Sequence, residues 1–463
     1  DTDELLDGAI NQIVGKLDPH SVYFTKEQLQ RETEELQGNF VGIGVQFRIF
    51  ADSVVVSRVL EGGPSERIGL KAGDRILKAN NDSLSGVGLD NNGVMRILKG
   101  QPDTEVELSI YRRSVDKVLP YTLIRGDVPI KSVTSSYMIN DDIGYIKLDR
   151  FAMTSYDEFK LELDRLINKG MSTLVFDLRD NGGGFMNIAN QIADEFLEKD
   201  KLIVFTKNKK GEENKDFATS AGSFEDGKVY VLINENSASA SEIIAGALQD
   251  NDRGTIIGRR SFGKGLVQQT MGLGDGSAIR LTTARYYTPT GRSIQKPYDL
   301  SHSKEYYETF SQRYSNGELV SADSIKVNDS LRFVTPKGKV VFGGGGIVPD
   351  IFVGIDTTQF IQNRYVRGLN EFSFQYVDNN RKKFSGVKVD EFITDFDTDG
   401  EILNSYLKQL DVTLPLAPAT RKRLNDYFKA SFAQNLYDEN GFYQVIQIDD
   451  TMLEKVQELE YSN

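Results

Sequence analysis

Val229-Tyr-Val-Leu-Ile-Asn-Glu-Asn-Ser-Ala-Ser-Ala-Ser-Glu-Ile-Ile-Ala-Gly-Ala-Leu248 holds a strand, a polar loop and a helix start in one stretch. Val229-Tyr-Val-Leu-Ile233 is an unbroken apolar run of strand length, far short of a membrane span. Ser239 and Glu242 fit the Ser-x-x-Glu capping box, and Ile243-Ile-Ala-Gly-Ala-Leu248 reads as the buried helix that it opens. Outward from this unit, strand patterns at 143–148, 173–178, 229–233, 255–257 and 278–287 alternate with helical ones at 155–168, 186–198 and 239–249. Such alternation implies an α/β core with a largely parallel or mixed sheet.

The same stretch carries a candidate nucleophile. Lys264 follows Ser239 by 25 residues and Gln268 by 29, in Ser261-Phe-Gly-Lys-Gly-Leu-Val-Gln268. The chain has two histidines, His20 and His302, neither in a Gly-x-Ser-x-Gly or other nucleophile context, so lysine becomes the better candidate base. A hydroxyl attacks only once its proton is taken, and an ammonium cannot take it unless burial lowers the lysine pKa towards neutrality. Phe262, Gly263, Gly265, Leu266 and Val267 are small or apolar and suit that desolvation, while the neutral amide of Gln268 can orient the amine without holding its proton on. Ser239 as a helix cap is compatible with this role, because the first turn of a helix offers free N–H groups to an oxyanion. Ser237 and Ser241 are the local controls. Gly258-Arg-Arg-Ser-Phe-Gly-Lys264 copies the spacing of a phosphate loop, but Gly265 stands where a hydroxyl would hold magnesium. The strand-like Leu266-Val-Gln-Gln-Thr270 that follows also denies it a helix N-terminus.

Thr173-Leu-Val-Phe-Asp-Leu178 is a second run suited to a buried strand. Gly182-Gly-Gly184 then lets the backbone turn sharply and approach a ligand before the helical pattern Ile188, Ile192, Phe196. A backbone N–H of this turn, joined by that of Ala240, is a candidate oxyanion hole.

Ser-Ala-Ser-Ala-Ser-Glu at 237–242 and Phe-Gly-Lys-Gly-x-Val-Gln at 262–268 resemble the carboxyl-terminal processing peptidases, or tail-specific proteases. Leu17-Asp-Pro-His-Ser-Val-Tyr-Phe24, Asp177-Leu-Arg-Asp-Asn-Gly-Gly-Gly184, Leu281-Thr-Thr-Ala-Arg-Tyr-Tyr-Thr-Pro-Thr-Gly-Arg-Ser-Ile-Gln295 and Gly346-Ile-Val-Pro-Asp350 extend the likeness in the family's order over residues 1–355. The resemblance implies that Ser239 is the nucleophile, Lys264 the general base and Gln268 its positioner. It also implies Gly183 or Gly184 as oxyanion donor, with the choice left open, no metal or organic cofactor, and an extracytoplasmic location such as a bacterial periplasm.

Phe40-Val-Gly-Ile-Gly-Val-Gln-Phe47, Ser53-Val-Val-Val-Ser57, Gly63-Pro-Ser-Glu-Arg-Ile-Gly-Leu-Lys-Ala-Gly-Asp-Arg-Ile-Leu77 and Thr104-Glu-Val-Glu-Leu-Ser-Ile-Tyr111 together resemble a PDZ domain. In such a domain an extended peptide adds as a strand and backbone N–H groups hold its terminal carboxylate. Gly42, Ile43, Gly44 and Val45 are the matching loop, with Ile43 and Val45 lining an apolar pocket. The expected partners are accordingly proteins or peptides with accessible C-termini.

With 463 residues the chain holds several domains, and a formal net charge of −13 with dispersed acidic residues argues against nucleic acid as a partner. Cysteine is absent, which removes disulfides and thiolate metal sites. The start at Asp1, with no methionine or apolar leader, is expected of a chain whose signal peptide is not part of the sequence. The expected organisation is an α/β multi-domain protein: an N-terminal helical segment at 1–38, a PDZ-like domain at 39–125, a peptidase core at 126–355 with an insertion near 299–342, and a helical domain at 356–463. His302 in the insertion is expected at the surface. The helical regions at the two termini suit homodimerisation, docking of a regulatory or adaptor protein, or a lid. Asp395-Phe-Asp-Thr-Asp-Gly400 copies the opening of a calcium loop, yet Tyr406 occupies the closing glutamate's place, so an acidic turn before a helix is expected. The competing class is a catalytically silent or partner-activated adaptor that uses only the PDZ-like groove.

Overall fold

The computed structural model describes residues 2–299, 306, 308–356, 361–412 and 415–461. They divide into two compact units, one of residues 1–37, 132–358 and 449–463, the other of residues 38–131 and 359–448.

The first unit is built on a six-stranded sheet in the order Val133–Met138, Ile143–Leu148, Thr173–Asp177, Lys228–Ile233, Thr255–Gly258, Ile351–Phe352. The first pair is antiparallel and the others are parallel, so the sheet is mixed. Parallel strands need cover on both faces, and here both are covered. Helices Ser155–Ile167, Met186–Asp194 and Ala240–Asp250 pack one face. Met452, Leu453 and Val456 of the C-terminal helix Thr451–Tyr461 pack the other. Because Thr173–Asp177 and Lys228–Ile233 pair in parallel, with Asp177 opposite Leu232, the glycine turn and the loop before Ser239 leave the same edge of the sheet.

Ala278–Tyr287 is a strand, but it does not join the core sheet. It is central to a separate antiparallel sheet with Val22–Phe24, Leu202–Asn208, Glu213–Phe217 and Leu266–Gly272. A period of two reveals a strand and says nothing of its neighbours. The segment 1–37 is likewise part of this unit, since Val22–Phe24 pairs with Ala278–Arg280. The stretch near 299–342 contributes the helix Thr309–Ser315 and a hairpin of Arg332–Val334 with Val340–Phe342; His302 lies outside the described residues.

In the second unit an antiparallel sheet runs Val45–Phe50, Ser53–Val59, Arg75–Ala79, Glu105–Arg112, Lys117–Ile124, with Asp82–Ser83 at its side. Val45–Phe50 is an edge strand. The helix Asn91–Leu98 starts where the Asp90 side chain accepts from Gly93 N–H, and its Val94 and Leu98 join Ile43, Val56 and Ile76 in the core. Helices between Asn363 and Ile446 form a core of their own around Phe392, Tyr406, Phe428 and Phe432. Ties between the two parts explain why they form one unit: Arg48 lies 5.5 Å over the Phe374 ring, and Arg58 meets Asp438 at 2.8 Å and Glu439 at 3.2 Å.

The expected separate helical domain at 356–463 is therefore shared out differently. Residues 359–448 join the PDZ-like module and the last helix completes the sheet of the first unit. Asp395–Gly400 precedes the helix Glu401–Gln409; Asp399 pairs with Arg421 at 2.6 Å, and Tyr406 is a buried side chain donating to the Tyr365 carbonyl.

Candidate active site

The strand Lys228–Ile233 ends in a loop stapled to the glycine turn. Asp180, at φ 63°, accepts from the side-chain amides of Asn234 at 2.9 Å and Asn236 at 2.8 Å. Asn181 accepts at its carbonyl from Ala238 N–H and from the Ser241 hydroxyl. The Ser237 hydroxyl donates to the Leu178 carbonyl at 2.8 Å. Ser237 and Ser241 are thus fully buried and committed to structure, whereas Ser239 between them lines a cavity of about 590 Å³.

Ser239 has φ 57° and ψ −113°, a conformation that L-residues avoid and that costs on the order of 1 kcal/mol or more. Glu242 secures it. The carboxylate is buried and accepts four donors: Ser239 N–H at 2.9 Å and Lys264 N–H at 2.8 Å on one oxygen, Gly263 N–H at 2.7 Å and the Ser261 hydroxyl at 2.5 Å on the other. Burial pushes this carboxyl up, and the four donors work against that. The glutamate that begins as a helix-cap partner therefore ties the backbone of Ser239 to that of Lys264. The Tyr286 hydroxyl adds a second tie, donating to the Lys264 carbonyl at 2.6 Å and lying 3.1 Å from that of Ser239.

The Lys264 side chain lines the same cavity as Ser239, Ala240, Gln268 and the glycine turn. Burial lowers its pKa below the ordinary lysine value, and the positive charge of Arg280 adds to the effect. Gln268 is placed otherwise than expected. Its side-chain amide donates to the His20 carbonyl at 2.5 Å, and the hydrogen bonds of Lys264 among the described residues are all made by its backbone. The His20 carbonyl is held there by Asp18, which accepts from the N–H groups of His20 and Ser21 and from the Ser21 hydroxyl. Burial, helped by the Lys264 charge, pushes the His20 ring down to about 4, so it is neutral at pH 7.

Gly183 and Gly184 have φ of 104° and 146°, and neither has room for a side chain. A Cβ on Gly183 would lie 2.8 Å from that of Ser239, and one on Gly184 would lie 2.3 Å from the Phe151 carbonyl oxygen. The Gly183 amide donates to Asn181 Oδ1 at 2.9 Å. The amides of Gly184 and Ala240 form no hydrogen bond among the described residues.

The residues expected to bind a carboxylate form a separate group in the second unit. Ile43 is buried, Gly44 turns at φ 80° against Gly63, and Val45 opens the edge strand. Gly42 ends the short strand paired to Gly126–Pro129. Sequence reading had missed Glu242 as a hub, Tyr286, Asp18 and the Asp180–Asn181 staple. Only Glu242 had a local signal, its place in the capping box.

Comparison with known proteins gives three matching family models: peptidase family S41 over residues 142–300, a PDZ domain over residues 41–120, and a family of unknown function, DUF8443, over residues 365–438. A carboxy-terminal-processing protease of Bartonella bacilliformis is 38% identical over 300 residues, 64% of this chain and 68% of that protein. A probable CtpA-like serine protease of Staphylococcus aureus is 36% identical over 298 residues, 64% of this chain and 58% of that protein. Among solved structures, a photosystem II D1 C-terminal processing protease aligns with a TM-score of 0.39 and 25% identity, covering 75% of this chain and 81% of that one. The chain, with its serine-centred cavity in one unit and a PDZ domain in the other, belongs to peptidase family S41 and is a serine-type peptidase of the carboxyl-terminal processing kind.

Proposed function

We propose that Ser239 and Lys264 act as a catalytic pair and that hydrolysis passes through an acyl-enzyme. The observation that carries this reading is the buried, charge-repelled Lys264 in one cavity with a strained Ser239. With its amine neutral, Lys264 takes the Ser239 proton as Oγ bonds to the scissile carbonyl carbon; the C–N bond then breaks and Lys264 passes the proton to the leaving amine. Water repeats the sequence to release the acid. The Ala240 and Gly184 amides, having no partner among the described residues, are the available donors to the oxyanion, and Gly183 would join them only by leaving Asn181. Substrate tails would be caught on the edge strand Val45–Phe50, with their carboxylate on the amides of 42–45. An extracytoplasmic location goes with this role, and cell fractionation tests it.

The Gln268–His20 hydrogen bond favours one variation, a resting arrangement in which Gln268 must leave the His20 carbonyl before it can orient the amine. The decisive experiment is cleavage of a disordered protein such as casein, read by mass spectrometry, beside labelling by a fluorophosphonate. Wild type is expected to cut and to be labelled at Ser239, with Ser239→Ala inert and Lys264→Ala slower by on the order of 10³-fold or more. A fully active Lys264→Ala would sink the pair.

A further inference from the structure

The C-terminal helix Thr451–Tyr461 lies outside every stretch that the family models match, and it is pinned to the core sheet at both ends. At its far end Glu460 accepts from Lys228 at 2.5 Å and from the Tyr230 hydroxyl at 2.7 Å. The near end is bound to the root of the glycine turn. One oxygen of Asp450 caps the helix, accepting from Met452 N–H at 2.9 Å and Leu453 N–H at 3.2 Å; the other accepts from Arg179 Nη1 at 2.6 Å.

Arg179 is the residue before Asp180 and Asn181, which hold the turn to the Ser239 loop through the Asp180 side chain and the Asn181 carbonyl. Its guanidinium is clamped from a second side by Asp177, through Nε at 2.9 Å and Nη2 at 2.6 Å. Asp177 is itself buried and accepts from the Tyr145 hydroxyl, while Lys147 donates to the Arg179 carbonyl at 2.9 Å. Asp177, Tyr145 and Lys147 lie on strands of the core sheet, whereas Asp450 comes from the segment that leads into the helix Thr451–Tyr461. Without Asp450, Arg179 Nη1 would lose its carboxylate acceptor in a mostly buried site while Asp177 keeps Nε and Nη2, and a guanidinium so placed moves to regain the lost partner. Its backbone would carry Asp180–Gly184 with it.

We propose that Asp450 is a positioning residue for peptide hydrolysis, which through Arg179 fixes the Asp180–Gly184 turn against Ser239. The proposal rests on the reading that the turn donates to the oxyanion.

The test compares full-length wild type, Asp450→Ala, the isosteric Asp450→Asn, and Glu460→Gln, which loosens the same helix at its other end. The readouts are kcat and KM on a peptide substrate and the rate of Ser239 labelling by a fluorophosphonate, whose phosphoryl oxygen occupies the oxyanion position. Asp450→Ala is expected to lower kcat and labelling about tenfold at unchanged KM, with Asp450→Asn falling less and Glu460→Gln keeping both at wild-type values even if its Tm drops as far. Where Asp450→Ala does not fold, Asp450→Asn carries the comparison. Asp450 variants that label and turn over like wild type, or lose no more than Glu460→Gln at equal Tm, overturn the proposal. Failure of the underlying reading shows separately, as Gly184→Ala, which displaces the turn itself, labelling at the wild-type rate.

Discussion

A lysine can serve as base only where its pKa is lowered, and two features lower that of Lys264: burial first, then the charge of Arg280. Both lower its pKa, so kcat/KM should rise with pH along a single limb whose midpoint lies below the ordinary lysine value of 10.5. Replacing Arg280 with Gln removes one of the two, raises the pKa and should move that limb to higher pH, leaving less active enzyme at neutrality. A pH–rate profile of both proteins checks this, and a limb that stays in place would remove Arg280 from the mechanism. The folded state pays for this lowered pKa. Its lysine releases its proton more readily than the unfolded chain's, so between the two pKa values the unfolded state binds more protons and stability rises with pH.

At the level of elements, Gly182-Gly-Gly184 is not three equal glycines. Gly182 has no atom within 4 Å of where a Cβ would stand and keeps a negative φ, whereas Gly183 and Gly184 have positive φ and would clash with Ser239 and Phe151. Gly182→Ala should therefore keep Tm close to wild type. Gly183→Ala and Gly184→Ala should each lose on the order of 10²-fold or more in kcat, because either must shift the turn that faces Ser239. Thermal melts and steady-state kinetics of the three variants decide it, and equal behaviour would mean that the turn tolerates movement. The triple glycine and its strand were legible in the sequence, since a buried apolar run and a glycine cluster are local signals. The unequal roles were not, because they depend on Phe151 and Ser239, which are close only in the fold.

Over the whole molecule, two compact units predict two calorimetric transitions, with the PDZ domain and the helices of 359–448 melting together. Arg58→Asp sets a negative charge beside Asp438 and Glu439, in place of a partly exposed ion pair. It should lower only the transition of the second unit, by ~1 kcal/mol or ~2–4 °C. A PDZ domain that melts apart from those helices would refute the grouping. The cavity around Ser239 likewise draws on distant parts of the chain, from Glu32 to Tyr286.

The sequence by itself determined what is encoded locally: the strands around 143–148, 173–178 and 229–233, the capping box at Ser239, the glycine turn, and the Ser239, Lys264 and Gln268 motifs whose order marks the family. Apolar period, turn chemistry and residue type suffice for these. Only the tertiary structure decided that Glu242 spans the backbones of Ser239 and Lys264, that the Gln268 amide rests on His20, that Ala278–Tyr287 leaves the core sheet, and that the final helix returns to cover it. Each depends on contacts between residues far apart in the chain, and on the burial that those contacts create. Neither burial nor pairing partner is a property of a local stretch of sequence.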